Sequence, residues 1–502
     1  MIIFIFAMKF SVFLLSVFWI LTSCSSDNVA SNSSSNPTAA TTINVSAITL
    51  SGTDISSGTT TQLVATILPA TATNKNLSWT SSDSSIATVS ATGLVTALKN
   101  GTVIITATAT DKNTVISSKT VVISSFVLTP TYNYTVSNSA EFLVALGKVK
   151  AGETIFLNGG TYSFSTRINL TTSGTASSPI TILGATTGTR VKFDFSAMAL
   201  SSSNQGIILT ANYVTIKAID IYKAGDNGLE IKGNNNTIEF CTFSECSDTG
   251  LQIDNGASNN NIINCDSYFN ADLLNENADG FAAKMGVGTG NQFMGCRAWQ
   301  NSDDGWDGYL RGADNVSTYY SNCWSIKNGY LKDGTRSAGD GNGFKTGGSD
   351  LKDLKHNATY KNCITVNNFA NGFDQNSNRG IVTIYNSAAY NNLKNNYFFN
   401  SGSNPLDKLI LKNSVVLGLF GNASNPVVID VTNNSWQNGI ITDSNDFEGL
   451  DTTQLIGSRK SDGSLPDVTF MHLKAGSDLI DKGIDVGLPH KGNAPDLGPF
   501  EY

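Results

Sequence analysis

The stretch from Asn277 to Leu310, NADGFAAKMGVGTGNQFMGCRAWQNSDDGWDGYL, states one pattern twice. An aspartate, a glycine and a large apolar residue occur as Asp279-Gly280-Phe281 and again as Asp304-Gly305-Trp306. Between the two copies stands a cysteine followed five positions later by asparagine, Cys296 and Asn301. Outward from this stretch the first unit recurs as Asn227-Gly228-Leu229, Asn342-Gly343-Phe344 and Asn371-Gly372-Phe373. Degenerate copies stand at Thr249-Gly250-Leu251 and Asn395-Asn396-Tyr397. The second unit recurs as Cys265/Asn270, Cys323/Asn328 and Cys363/Asn368, continues as Ser387/Asn392, and begins at Cys241/Cys246. The intervals are uneven but the two units keep their order, which marks a repeat architecture.

These units predict an all-β chain built as a right-handed parallel β-helix. Each coil contributes short strands that stack on the coil below at about 4.8 Å, so equivalent positions form columns. The large residues at 229, 251, 281, 306, 344 and 373 then fill the interior. Asparagines at one turn satisfy the backbone through side-chain amide ladders, and uneven intervals become loops on one face. Cys241, Cys265, Cys296, Cys323 and Cys363 share a column that serine continues at 387 and 414. Stacked Cβ vectors run parallel, with Cβ atoms near the rung spacing and beyond the usual disulfide range of about 3.5–4.5 Å. The cysteines are therefore expected as buried free thiols acting as small apolar filler. Upstream, SAEFLVALGKVKAGETIFLNGGTY (139–162) reads as a short amphipathic helix, a strand and a Gly-Gly turn. A helix there covers the open end of the stack, whose bare strand edge would invite aggregation.

The chain carries 502 residues, a formal charge of −8 and only 14% charged residues, which suits an exported β protein better than a helical one. That charge makes nucleic acid a poor partner. After Lys9 the apolar run FSVFLLSVFWIL is short for a membrane span and ends in Leu21-Thr22-Ser23-Cys24. We read residues 1–23 as a signal peptide with a lipobox, Cys24 as the lipidation site, and 24–42 as a flexible tether. The chain is then expected to be exported and held at the bacterial outer membrane by its lipid alone, at the cell surface or the periplasmic face. Residues 43–125 alternate in short strands with turn residues between them, as in a β-sandwich. The segment LPATATNKNLSWTSSDSSIATVSATGLVTALKNGTVIITATA resembles the bacterial Ig-like group 2 module. Residues 126–502 are assigned to the β-helix domain.

Asp303, Asp304 and Asp307 crowd into five positions, and Asp279 stands one coil earlier in the column of Asp304. Two carboxylates about 5 Å apart repel by roughly 3 kcal/mol at an effective dielectric near 20. SDDGWDGY contains no lysine or arginine to offset this. A hard divalent cation would, and all-oxygen carboxylate ligands favour Ca²⁺. The residue after the large apolar one is Asp307 on one coil and Lys345 on the next, in GDGNGFKTGG. The same column therefore sets an outward lysine one rung from the acidic patch. A dication there would lower the pKa of Lys345 and favour the neutral base. Lys284, Arg311, Lys332 and Arg336 lie on or beside these coils and are candidates for binding further carboxylates.

At these residues the chain resembles polysaccharide lyase family 9, the pectate lyases and their relatives, from about Ser137 to Tyr502. The closing IDKGIDVGLPHKGNAPDLGPFEY is also typical of such lyases. The resemblance implies Ca²⁺ held by Asp279, Asp303, Asp304 and Asp307, with Lys345 abstracting a proton. It implies an acidic plant-type polysaccharide, pectate, cleaved by β-elimination, and a monomer is expected. Three rivals stay open on the residues alone. A polygalacturonase-like hydrolase would use aspartates as acid and base without calcium. A calcium-stabilised adhesin would have no use for Lys345. Rhamnogalacturonan or alginate would keep the elimination and change the polymer.

Overall fold

The computed structural model describes residues 41–124 and 132–502. The signal peptide, Cys24 and most of the tether lie outside the described residues. The chain divides into two compact units, one reaching Pro130 and one starting at Thr131. The first is a set of short antiparallel strands, among them Ala47–Ser51 against Val64–Leu68 and Gly101–Ala109 between Leu77–Ser81 and Ile116–Ile123. Alternation turns Val103, Ile105 and Val121 onto a core with Ile55, Leu63, Ala87 and Val95. This is the expected sandwich module.

The second unit is a parallel β-helix of three stacked sheets, one of twelve strands and two of ten. The helix α1 (Ser139–Leu146) is capped by Asn138, whose side chain accepts from the Glu141 amide. It buries Phe142 against Phe164 and Phe193 in the first coils. The apolar column forms as expected. Phe281, Trp306, Phe344, Phe373 and Tyr397 stack with ring centroids 4.7–5.2 Å apart. A second stack, Phe293, Tyr320 and Tyr360, runs beside it. The glycine of each repeat is required by close approach: a Cβ on Gly305 would lie 2.4 Å from Ser325 Oγ and 2.6 Å from the Gly343 carbonyl oxygen.

The asparagine ladder runs Asn270, Asn301, Asn328, Asn368, Asn392, each Nδ2 donating to the next Oδ1 at 2.8–3.0 Å. Cys246 heads this column, its amide donating to Asn270 Oδ1 at 3.0 Å. A second ladder, Asn236, Asn260 and Asn291, occupies another turn and was not foreseen from the sequence. The residues before the cysteine column, Asn264, Asn322 and Asn362, take φ of 51–53°. Asparagine tolerates that left-handed conformation, which turns the corner between sheets. The six described cysteines are buried and free, as the column geometry requires.

One part of the fold departs from the expectation of coils to the C-terminus. After Val428–Thr432 the chain leaves the stack and folds back over the outer face of one ten-stranded sheet. Trp299, Trp324, Ile326, Ile364 and Val366 point outward there and pack against Phe447, Leu455, Phe470, Leu473 and Leu497. That sheet is therefore buried on both faces, and its interior side carries the small polar Ser267, Ser325 and Thr365. A buried ion cluster holds the returning segment. Arg297 and Arg459 both pair with Asp266 at 2.7 Å, and Arg297 Nη1 donates to the Leu455 and Gly457 carbonyl oxygens.

Burial alone would raise the Asp266 pKa, but the two guanidinium groups outweigh it and hold the carboxyl below its ordinary value. A depressed folded pKa means stability that is present above about pH 4 and lost as pH falls through the folded value. Asp266→Asn should therefore destabilise the domain by about 3–5 kcal/mol at neutral pH, because it leaves two buried cations unpaired. It should also flatten the acid limb of the stability curve. Denaturant melts from pH 3 to 7 check both, and an unchanged melt at pH 7 would refute the role given to this cluster.

Candidate active site

Backbone register sets the site. Phe281 pairs with Trp306 and Trp306 with Phe344, so Ala282, Asp307 and Lys345 follow one another in the adjacent column. One position before each glycine, Asp279, Asp304 and Asn342 form a third column. The Asp304 amide donates to Asp279 Oδ1 at 3.2 Å, and the Asn342 amide and Nδ2 donate to Asp304 Oδ1 at 2.7 and 3.0 Å. Thr249 Oγ1 donates to Asp279 Oδ2 at 3.2 Å. The repeat that builds the core thus also lines up the acids on its outer side.

Asp279, Asp303 and Asp304 each place a carboxylate oxygen within 4.8 Å of the others, and all three are buried. Asp307 stands beside them, 5% exposed. Burial pushes Asp279 up to about 6, with Lys284 opposing and Asp307 adding to the shift. Burial and then Asp279 push Asp303 up to about 7. Asp304 is also raised well above the ordinary carboxylate range, by burial and then Asp303. Asp307 goes the other way: burial would raise it, but Lys345 and Lys284 outweigh that.

Two ammonium groups reach this patch from the flanking strands. Lys345 Nζ lies 3.0 Å from Asp304 Oδ2, 3.5 Å from Asp307 Oδ1 and 3.9 Å from Asp340 Oδ2. Lys284 Nζ lies 2.7 Å from Asp279 Oδ2 and 3.6 Å from Asp307 Oδ2. The absence of a cation within SDDGWDGY therefore does not leave the acids without one. Lys284, expected on or beside these coils as a candidate for binding further carboxylates, sits inside the cluster and pairs with the protein's own Asp279 and Asp307. Asp304 Oδ2 touches Lys345 as an ion pair but receives no hydrogen bond. The expected fall in the Lys345 pKa is not what the protein's own charges produce. Burial pulls it down, and Asp304, Asp307, Asp303 and Asp279 more than reverse that.

Asp303, Asp307, Lys284, Lys345, Tyr309 and Arg311 line one open cleft of about 520 Å³. Arg311 pairs with Asp350 at 3.0 Å and is largely exposed at the rim. Lys332 is elsewhere: it pairs with Glu245 at 2.6 Å and lines a separate hollow with Phe269 and Met198. Arg336 lies over the Phe369 ring at 3.7 Å, outside the cleft lining. Asp340 was missed by the sequence reading. It stands in the loop between Asn328 and Asn342, and its amide donates to Asp303 Oδ1 at 2.6 Å. Asp374 was also missed, although it continues the column of Asp307 and Lys345 and could have been read from it.

The model of the Pel9A-like right-handed β-helix region matches residues 129–408. The chain belongs to the Pel9A-like β-helix family. Residues 39–120 match the bacterial Ig-like domain, group 2. Pectate lyase L of Dickeya dadantii is 37% identical over 373 residues, covering 72% of this chain and 85% of that protein. Pectate lyase L of Paenibacillus polymyxa is 35% identical, covering 68% and 79%. Among solved structures, pectate lyase Pel9A superposes with a TM-score of 0.65 at 36% identity, covering 72% of this chain and 90% of that one. A rhamnogalacturonan lyase superposes with a TM-score of 0.62 at 26% identity, covering 68% and 97%. This Pel9A-like chain is an enzyme of the pectate lyase type.

Proposed function

We propose that the enzyme is a Ca²⁺-dependent lyase that cleaves a polyuronate, pectate above all, by β-elimination. The observation that carries this reading is the buried carboxylate cluster with Lys345 against it in an open cleft. The donor set fits the ion. It is all oxygen, three carboxylates converge within 4.8 Å, and Asp304 Oδ2 has no hydrogen-bond donor. Asp279, Asp303, Asp304 and Asp307 would hold the ion, with Asp304 and Asp279 oriented by Asn342 and Thr249. Bound Ca²⁺ supplies charge neutralisation for a substrate carboxylate and for the negative charge that builds up beside it.

The chain's own groups do the rest. Lys345 is held by four carboxylates in its protonated form. Offsetting those charges makes its neutral amine accessible, and the amine takes the proton from C5 of a uronate. The C5–H electron pair forms the C4–C5 double bond, and the bond from C4 to the glycosidic oxygen breaks. The product carries a 4,5-unsaturated sugar, and water protonates the leaving oxygen. Arg311, which lines the cleft and pairs with Asp350, would meet a neighbouring sugar carboxylate.

The likeness to a rhamnogalacturonan lyase structure supports a second substrate reading on the same chemistry. Incubation with pectate, rhamnogalacturonan and alginate, read as new ultraviolet absorbance of the unsaturated product, tests both. Pectate should give the fastest rise. Saturated products from every polymer would overturn the elimination.

Export on a lipid anchor belongs to the same proposal. Cys24→Ser should move the protein from the membrane fraction to the soluble one and block lipobox cleavage. Unchanged fractionation with an unchanged mature N-terminus would leave an ordinary signal peptide.

A further inference from the structure

Three coils before SDDGWDGY the chain writes Asp226-Asn227-Gly228-Leu229-Glu230, an echo of Asp303-Asp304-Gly305-Trp306-Asp307. The register makes the echo structural. Glu230 pairs with Gln252, Gln252 with Ala282 and Ala282 with Asp307. Glu230 therefore occupies the column of Asp307, three rungs or about 14 Å along the axis. Asn227 occupies the column of Asp304: the Gly228 amide bonds the Thr249 carbonyl, Gly250 that of Asp279, and Gly280 that of Asp304. Asp226, Asn227, Glu230 and Gln205 line the same cleft as Asp303 and Lys345.

Acidic residues alone would not make a site, but here three buried oxygens lack any donor. They are Gln205 Oε1, Asn227 Oδ1 and Glu230 Oε2, on residues 5–7% exposed. The orientation of the Gln205 amide is fixed, since Nε2 donates to Asp226 Oδ2 at 2.7 Å and to the Ser202 carbonyl oxygen at 2.8 Å. Its Oε1 is thereby the atom turned to the unsatisfied side. Lys232 reaches Glu230 at Oε1, 3.1 Å away, and leaves Oε2 without a partner. Buried acceptors without donors are costly and uncommon in folded proteins.

We infer that Asp226, Asn227, Glu230 and Gln205 form a second cation site in the cleft, and that it takes Ca²⁺. Two carboxylates and two amide oxygens are a hard, mixed oxygen set. Ca²⁺ accepts six to eight such ligands in flexible geometry, whereas Mg²⁺ demands near-ideal octahedral placement. The four residues line the cleft, from which a uronate carboxylate can complete the coordination of the ion. That use of the site rests on the lyase reading; ion binding does not.

Calorimetric titration of the full mature chain with Ca²⁺ alone separates the two. The wild type should bind two ions. Asp226→Asn/Glu230→Gln should bind one, Asp304→Ala should bind one, and the combined variant none. Gln205→Met, which removes one oxygen and no charge, should weaken the second ion alone and covers the case where the double variant fails to fold. A single ion in the wild type that Asp304→Ala abolishes would overturn the inference. So would two ions retained by the folded Asp226→Asn/Glu230→Gln variant. An ion lost in the double variant but not in Asp304→Ala would uphold this site and remove the calcium assignment from the acidic cluster at Asp304.

Discussion

Lys345→Ala should cut turnover by about 10²–10⁴-fold, the loss typical of removing a general base. The lysine is the amine held against Asp304 and Asp307 from the next rung, and its side chain is only 10% exposed. Lys284 is also in the cluster but bonds Asp279 from the same coil. Lys345→Arg should fail almost as badly, because guanidinium stays protonated at any workable pH. The alanine variant removes the cation from between Asp304 and Asp307, so Ca²⁺ should bind it at least as tightly as it binds the wild type. Steady-state rates on pectate with parallel calcium titrations check this. Near-normal turnover in the arginine variant would make Lys345 a substrate clamp and bring Lys284 forward as the base.

Chelation should abolish elimination entirely, and added Ca²⁺ should restore it. The physical reason lies in the cluster's own charges. Without an ion, buried carboxylates raise the Lys345 pKa well above its ordinary value and keep the amine protonated. Asp304→Ala should reproduce much of the chelator effect by removing the carboxylate that Asn342 orients. It should leave the coils folded, since Trp306 stacks on Phe281 and Phe344 independently of it. Full activity in excess chelator would end the calcium mechanism and return weight to hydrolysis by paired aspartates.

The columns were legible in the sequence because a parallel stack converts spacing into position. One glycine and one large residue per coil were enough to place Asp279 beside Asp304 and Lys345 beside Asp307. What depends on loops and side-chain reach was not legible. Lys284 follows Asp279 by five residues, and only the bend of the coil turns its ammonium back onto that carboxylate. Asp340 arrives on an insertion whose path no periodicity dictates. Lys332 belongs to the same insertion but pairs with Glu245 in a separate hollow. The C-terminal cover was hidden for a different reason. Residues 433–502 have no repeat, and the outward Trp324 and Ile364 that receive it look from sequence like ordinary strand residues.

The column of free thiols gives this molecule a built-in gauge of its own opening. Cys241, Cys265, Cys296, Cys323 and Cys363 mark five rungs in order, and each is buried. Disorder spreads from the ends of a coil stack inward, and here it must also lift the C-terminal cover that spans the coils of Trp299, Trp324 and Ile364. A thiol reagent therefore meets these sulfurs in an order set by the direction of fraying, and labelled peptides record how far it has travelled. No disulfide ties the described coils together, so the fold does not depend on an oxidising compartment.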